Sequence, residues 1–240
     1  MGLKESGLRG SLRNVSVGIA AIPDDLLNQW IVSNFDSPWP DEVGNADMSI
    51  SGLSTTTIDG ETLVSGDGSD HGTAPADVLG NRETWGIAVP FYANSGDVSD
   101  FDVFAGLFGP DANDGLRLRV ANDSADVEWR AGDGSTVRVS GETIADGSIK
   151  ALVINKTGNA GTDFEIYVDD METDTSTVVA DDGVDHSNWS LDIDWAFWAV
   201  NDDGSIGSNI NAALGAPEFK ENPYTEQERK EWVDRTPELS

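Results

Sequence analysis

The chain has 240 residues, with 44 acidic against 14 basic side chains and a formal charge of −30, so no basic stripe is available to neutralise the phosphates of a nucleic acid. It contains no cysteine, which excludes disulfides, thiolate nucleophiles and Cys-ligated metals, and no apolar run approaches the roughly 20 residues of a membrane span. Yet 38% of the residues are hydrophobic and eight are tryptophan, enough to fill a core rather than form a disordered acidic tail. So large a charge repels itself in dilute buffer, whereas at molar salt the screening length falls to about 3 Å and the repulsion fades. The composition therefore fits a protein that works in near-saturated salt, where dispersed carboxylates hold water.

Residues 1–22 differ from everything that follows. Lys4, Arg9 and Arg13 stand against one acid, Glu5, with Leu3, Leu8 and Leu12 among glycines and serines. A cationic, leucine-bearing arm on an anionic protein is suited to docking on an acidic partner, so it is expected to lie against another subunit or a different protein of an assembly. Val15–Ile22 has the position of a signal-peptide core but is short and carries Ser16 and Gly18, so secretion by cleavage is not expected. From Ile22 to Asn28 the pattern allows one helical turn, and Trp30–Phe35 reads as a strand that Pro38 and Pro40 cannot continue.

Strand-like pieces follow at Met48–Leu53 and Thr62–Val64, then a turn cluster at Gly66–His71. Alternation marks further strands at Trp85–Tyr92, Phe101–Phe108, Leu116–Val120, Val127–Arg130 and Thr136–Val139. Asn113-Asp114-Gly115 and Gly132-Asp133-Gly134 carry hairpin-turn chemistry. In Ser148–Asp170, the apolar run Ile149–Ile154 and the alternating Phe164, Ile166 and Val168 predict an antiparallel hairpin with one buried and one wet face. Trp189–Val200 is a strongly apolar strand region. If it is regular, Phe197 and Trp198 face opposite ways, and one of these rings lies off the inter-sheet core. Thr225-Glu226-Gln227-Glu228 is a capping box, predicting a helix over about Glu226–Asp234 that stops before Pro237. Many short strands with turns every 8–12 residues or so indicate a sandwich rather than βαβ units.

Four stretches carry a family resemblance. Trp30–Phe35 followed by Asp41-Glu-Val-Gly-Asn-Ala-Asp47 is similar to the opening strand and D-x-x-G-N turn of concanavalin A-like jelly rolls of the laminin G-like branch. Gly66-Asp-Gly-Ser-Asp70 resembles their glycine-acid loop, and Phe164–Asp170 their iYvDG strand, with Asp170 where the family usually has glycine. Pro217–Asp234 resembles their closing strand and helix. The resemblance implies an all-β, two-sheet jelly-roll sandwich over residues 23–240, with residues 1–22 as an extended N-terminal arm and a short C-terminal helix. The acidic composition and basic arm resemble proteins of haloarchaea and their tailed viruses. That likeness implies a virion surface component (turret, spike or fibre) assembled in a high-salt archaeal cytoplasm, homo-oligomeric and joined to other virion proteins through its arm. The alternative is a lectin-like domain of a cell-surface or viral protein.

The same fold hosts glycosidases, and Glu165-Ile-Tyr-Val-Asp169 is superficially similar to their catalytic strand. Tyr167 stands where the middle acid belongs, and Glu165 and Asp169 are about 13 Å apart along a strand. A retaining pair needs about 5–5.5 Å and an inverting pair at most about 9.5 Å, so no enzyme is expected. No G-x-S-x-G elbow occurs, and His71 and His186 lie in Gly/Asp-rich loops. Calcium is a further candidate: Asp67 and Asp70 could offer hard oxygens, as could Asp181, Asp182 and Asp185, though the spacing completes no known loop motif. Host-glycan recognition needs a flat ring beside polar groups, and Trp39, Trp129, Arg130 and Tyr167 are the candidates; Trp195 and Trp198 are assigned to the core.

Overall fold

The computed structural model describes residues 23–75, 82–109, 115–131, 134–182 and 193–239. The arm with Leu3, Lys4, Leu8, Arg9, Leu12 and Arg13, the central residues of the two hairpin turns, and Asp185 and His186 lie outside the described residues. The strands are β1 (Leu26–Gln29), β2 (Ser49–Ser51), β3 (Ser54–Ile58), β4 (Glu61–Asp67), β5 (His71–Ala74), β6 (Trp85–Tyr92), β7 (Val103–Phe108), β8 (Gly115–Ala121) and β9 (Ser124–Arg130). They continue with β10 (Thr136–Thr143), β11 (Lys150–Lys156), β12 (Phe164–Val168), β13 (Thr177–Asp181), β14 (Trp195–Phe197), β15 (Val200–Asp202), β16 (Ser205–Gly207), β17 (Asn211–Leu214) and β18 (Glu218–Lys220), and one helix, α1 (Glu226–Arg235), follows.

An eight-stranded sheet holds β12, β11 and β6, then β17 and β18 end to end beside β6, with β4 and β3 beyond β17 and β1 beyond β18. A ten-stranded sheet runs β13-β10-β9-β8-β7-β14-β5-β2, with β15 and β16 attached at β7. Among the described strands only β7 and β15 pair in parallel. The fold is a two-sheet jelly-roll sandwich. Inward residues of both sheets, such as Leu118, Val127, Trp129, Ile87, Leu152 and Phe164, form one continuous core.

The β11–β12 hairpin forms as expected, in the register Leu152↔Val168 to Lys156↔Phe164. Its second face is not wet. Ala151, Val153 and Tyr167 are buried there with Met171, Tyr224 and Trp232, because α1 lies across the outer face of the sheet. Thr225 caps that helix: its Oγ1 accepts the Glu228 amide at 3.3 Å, and its own amide donates to Glu228 Oε2 at 2.8 Å.

Two further expectations change at the start of the chain. The predicted helical turn over Ile22–Asn28 gives way to strand from Leu26, because Leu26–Gln29 pairs with Lys220–Glu218. The predicted strand over Trp30–Phe35 is a 3-10 turn at Val32–Asn34, closed by the Asn34 amide donating to Ile31 O and the Phe35 amide donating to Val32 O, both at 3.0 Å. Asp41 fixes this entrance. Despite its burial, hydrogen bonds from Asn28 and from the amides of Gln29, Gly44 and Ala46 hold its carboxyl below the usual range. A Cβ on Gly44 would lie 2.5 Å from Asp41 Oδ2 and from Leu27 O, which is why the turn motif needs glycine.

Trp195, Phe197 and Trp198 all lie in the inter-sheet core, against the expectation from strand parity. β14 ends at Phe197, and Trp198 turns into the left-handed region at φ 59°, so its ring swings back to the side that Phe197 already faces. Trp198 Nε1 donates to Ala212 O at 3.1 Å, and Phe197 packs edge-on against Trp30 at 5.4 Å. Replacing Trp198 by alanine is expected to cost about 3–5 kcal/mol in chemical denaturation. A loss under about 1 kcal/mol would mean that the ring is not packed as described.

Candidate functional site

The middle of the ten-stranded sheet carries a cluster of paired charges, three of them buried: Arg119, Asp126 and Glu128. Alternation sends Leu116, Leu118, Val120, Val127 and Trp129 inward, so Arg117 and Arg119 of β8, Asp126, Glu128 and Arg130 of β9, and Arg138 of β10 project from the outer face. Four of the chain's nine arginines thus share one surface. The register places Arg117 opposite Glu128 and Arg119 opposite Asp126, and cross-strand pairs of opposite charge support each other. Arg119 Nε donates to Asp126 Oδ1 at 2.6 Å, and its Nη1 lies 2.9 Å from Glu128 Oε2. Arg138 Nε reaches diagonally to Asp126 Oδ2 at 2.9 Å, and Arg130 Nη2 donates to Glu128 Oε1 at 2.6 Å. The Arg119 and Asp126 side chains are almost fully buried, at 3% and 0% exposure, whereas Arg138 and Arg130 remain partly open.

Two phenylalanines bracket this array. The Arg117 guanidinium lies 4.0 Å from the centre of the Phe108 ring, and that of Arg119 lies 5.0 Å from the centre of Phe101. Phe101 is 57% exposed and sits at φ +88°, a conformation in which a bulky side chain is strained. Its neighbours hold it there. The Phe101 amide donates to Val120 O at 3.2 Å, the Val120 amide donates to Asp102 O at 2.9 Å, and Asp100 accepts the Asn122 amide at 2.6 Å. An exposed ring therefore stands beside guanidinium donors and carboxylate acceptors.

The aromatic candidates named from sequence are elsewhere. Trp39 is fully buried, packs edge-on against Phe35 at 5.3 Å and donates to Ile31 O at 2.9 Å. Trp129 is fully buried between Phe164 and the Lys156 ammonium, which lies 4.4 Å from its ring centre. Tyr167, expected on an exposed face, is covered by the Arg229 guanidinium 3.6 Å from its ring centre; that burial, with Glu165 beside its hydroxyl, pushes the phenol up to about 12. None of the three offers a ring face to a sugar. Arg130 does lie on the array, and Phe101 is the exposed aromatic that sequence reasoning missed. Alternation marked its strand, but nothing local reveals that the strand begins two residues later and leaves the ring outside.

Asp67 and Asp70 organise their own turn. Asp67 Oδ1 accepts Ser69 Oγ at 2.7 Å and the Ser69 amide at 3.0 Å, and Asp70 Oδ2 accepts the Asp67 amide at 3.1 Å. Asp181 accepts the Gly161 amide at 2.8 Å. Among the described residues no group of three or more acids or histidines is placed to hold a metal ion. Glu165 accepts from Asn155 and from the Tyr167 hydroxyl, and Asp169 from Lys150 and the Ala151 amide.

No protein-family model and no curated protein sequence matches the chain. Solved structures do match in shape. Domain 4 of AbnA, an extracellular GH43 arabinanase of Geobacillus stearothermophilus solved with arabinotriose, aligns at a TM-score of 0.61 and 12% identity, covering 85% of this chain and 96% of that domain. The receptor-binding domain of botulinum neurotoxin C/D mosaic serotype aligns at 0.64 and 12%, covering 88% of this chain. The serotype D ligand-binding domain, solved with N-acetylneuraminic acid, aligns at 0.62 and 10%. The likeness is one of fold. This chain spans about half the length of the two neurotoxin domains.

Proposed function

We propose that the chain is a non-catalytic, glycan-binding adhesion module that works in concentrated salt. Phe101 carries this reading: an exposed ring is held in a strained backbone conformation against Arg119, at the end of a donor-and-acceptor array. A sugar's C–H face can lie on such a ring while its hydroxyls meet the guanidiniums that stay partly open on the same face, Arg138 at 29% and Arg130 at 35% side-chain exposure, the combination of apolar surface with a few placed polar groups that small ligands use. Support comes from two fold neighbours solved with saccharides, arabinotriose and N-acetylneuraminic acid. The engagement of Glu165 and Asp169 by their own neighbours supports the non-catalytic part. The charge of −30 and the basic leucine arm support a place on the surface of a halophilic archaeal virion, where the arm joins the module to its assembly.

The test separates ring from fold. Phe101→Gly releases about 1–3 kcal/mol of backbone strain and loses about 0.5–1 kcal/mol of cation–π contact. Its melting temperature is therefore expected to hold or rise by a few degrees, while binding on a glycan array in molar salt disappears. A variant that still binds sugars, or a wild-type chain that binds none, overturns the reading.

A further inference from the structure

A concave site lies on the other sheet and takes no part in the array. A groove of about 520 Å³ runs along the outer face of the eight-stranded sheet, between the end of β1, the β3–β4 turn and the segment that follows α1. Ile31, Val32, Ala216 and Pro237 give it apolar walls, and Glu61 and Glu238 supply acid. Both glutamates also line an adjoining cavity of about 300 Å³, so they stand between the two spaces. Glu218, the other acid of the groove, is already neutralised: Arg235 holds both its oxygens, and Gln29 Nε2 donates to it at 2.6 Å. Glu238 is not. The residue is 8% exposed, and its Oε2 is buried with no donor among the described residues. Burial raises its carboxyl, and Glu61 adds to that shift. A buried acceptor left without a donor is costly, so Glu238 suits a cation that the described residues of the sandwich do not provide.

Residues 1–22 provide the matching chemistry. Each of the three leucines is followed directly by a cation, as Leu3-Lys4, Leu8-Arg9 and Leu12-Arg13. We propose that the groove beside the C-terminal turn is the receptor for this arm, taking a leucine on its apolar walls and the adjacent cation at Glu61 and Glu238. The nine residues between Arg13 and Pro23 extend to about 30 Å, and β1, which follows them, ends on the rim of the groove at Gln29. The arm can therefore reach the groove of its own chain or that of a neighbouring copy. This pairing does not depend on glycan binding.

The absence of cysteine allows a direct test on the full chain. Leu8→Cys is combined in turn with Ser33→Cys and with Thr62→Cys at the rim of the groove, and with Thr177→Cys on the opposite sheet. Ser33, Thr62 and Thr177 are exposed, so the fold is not at risk. Docking raises the effective concentration of the two thiols, so disulfide formation at the rim is expected to be at least about tenfold faster than at Thr177. Adding Glu61→Gln and Glu238→Gln should remove that preference. A cross-link within one chain or between two chains supports the pairing, and the gel position says which copy is served. Equal rates at all three positions, or a preference unaffected by the glutamine substitutions, overturn it and leave the groove to a different occupant.

Discussion

Replacing Asp126 by alanine is expected to destabilise the protein by about 3–5 kcal/mol, because it leaves the buried Arg119 Nε without its acceptor and the guanidinium with Glu128 alone as counter-charge. Asp126 is fully buried and accepts from Arg119 Nε at 2.6 Å and Arg138 Nε at 2.9 Å. Arg119 is almost as deeply buried, so water cannot replace the lost partner. Arg138→Ala is the contrast. With 29% of its side chain exposed it faces solvent as well as Asp126, and its removal is expected to cost no more than about 1 kcal/mol. Urea unfolding of the two variants in molar salt measures both. Similar losses for Asp126→Ala and Arg138→Ala would mean that the array is solvated throughout, and the case for its fixed geometry would fail.

The second large effect is expected from salt alone. Raising KCl from about 0.01 M to about 1 M shortens the screening length from about 30 Å to about 3 Å. Repulsion among the carboxylates behind the charge of −30 should therefore fade, and the melting temperature should climb steeply. The opposing loss is small. Salt weakens exposed pairs such as Lys230–Glu226 at 2.7 Å, worth at most about 1 kcal/mol each, and hardly reaches the buried Arg119–Asp126 pair. A melting temperature that stays flat between dilute and molar salt would remove the basis for a halophilic setting.

The amino-acid sequence determined the elements whose signal is local. Alternation in Trp85–Tyr92 and Phe164–Val168 needs only period two to predict strands, and both form with those bounds. The capping box at Thr225 places the start of α1 within one residue, because the cap is made by side chains three positions apart. Strands β3 and β13 escaped notice because as edge strands they bury little and carry no apolar alternation. Pairing across the fold creates them.

Tertiary structure alone decided which rings and charges meet solvent. Tyr167 lies on the polar face of its own strand by periodicity, and only the arrival of α1, far later in the sequence, covers it with Arg229. Trp198 joins the core because one left-handed residue cancels strand parity, and no local pattern announces that turn. The arginine array is written into β8 and β9 as simple alternation, but its pairing depends on a register that sets Arg119 opposite Asp126. Phe101 is a functional candidate for the same reason. A hydrogen bond to Val120 across the sheet, rather than anything in its own neighbourhood of sequence, holds its ring out against Arg119.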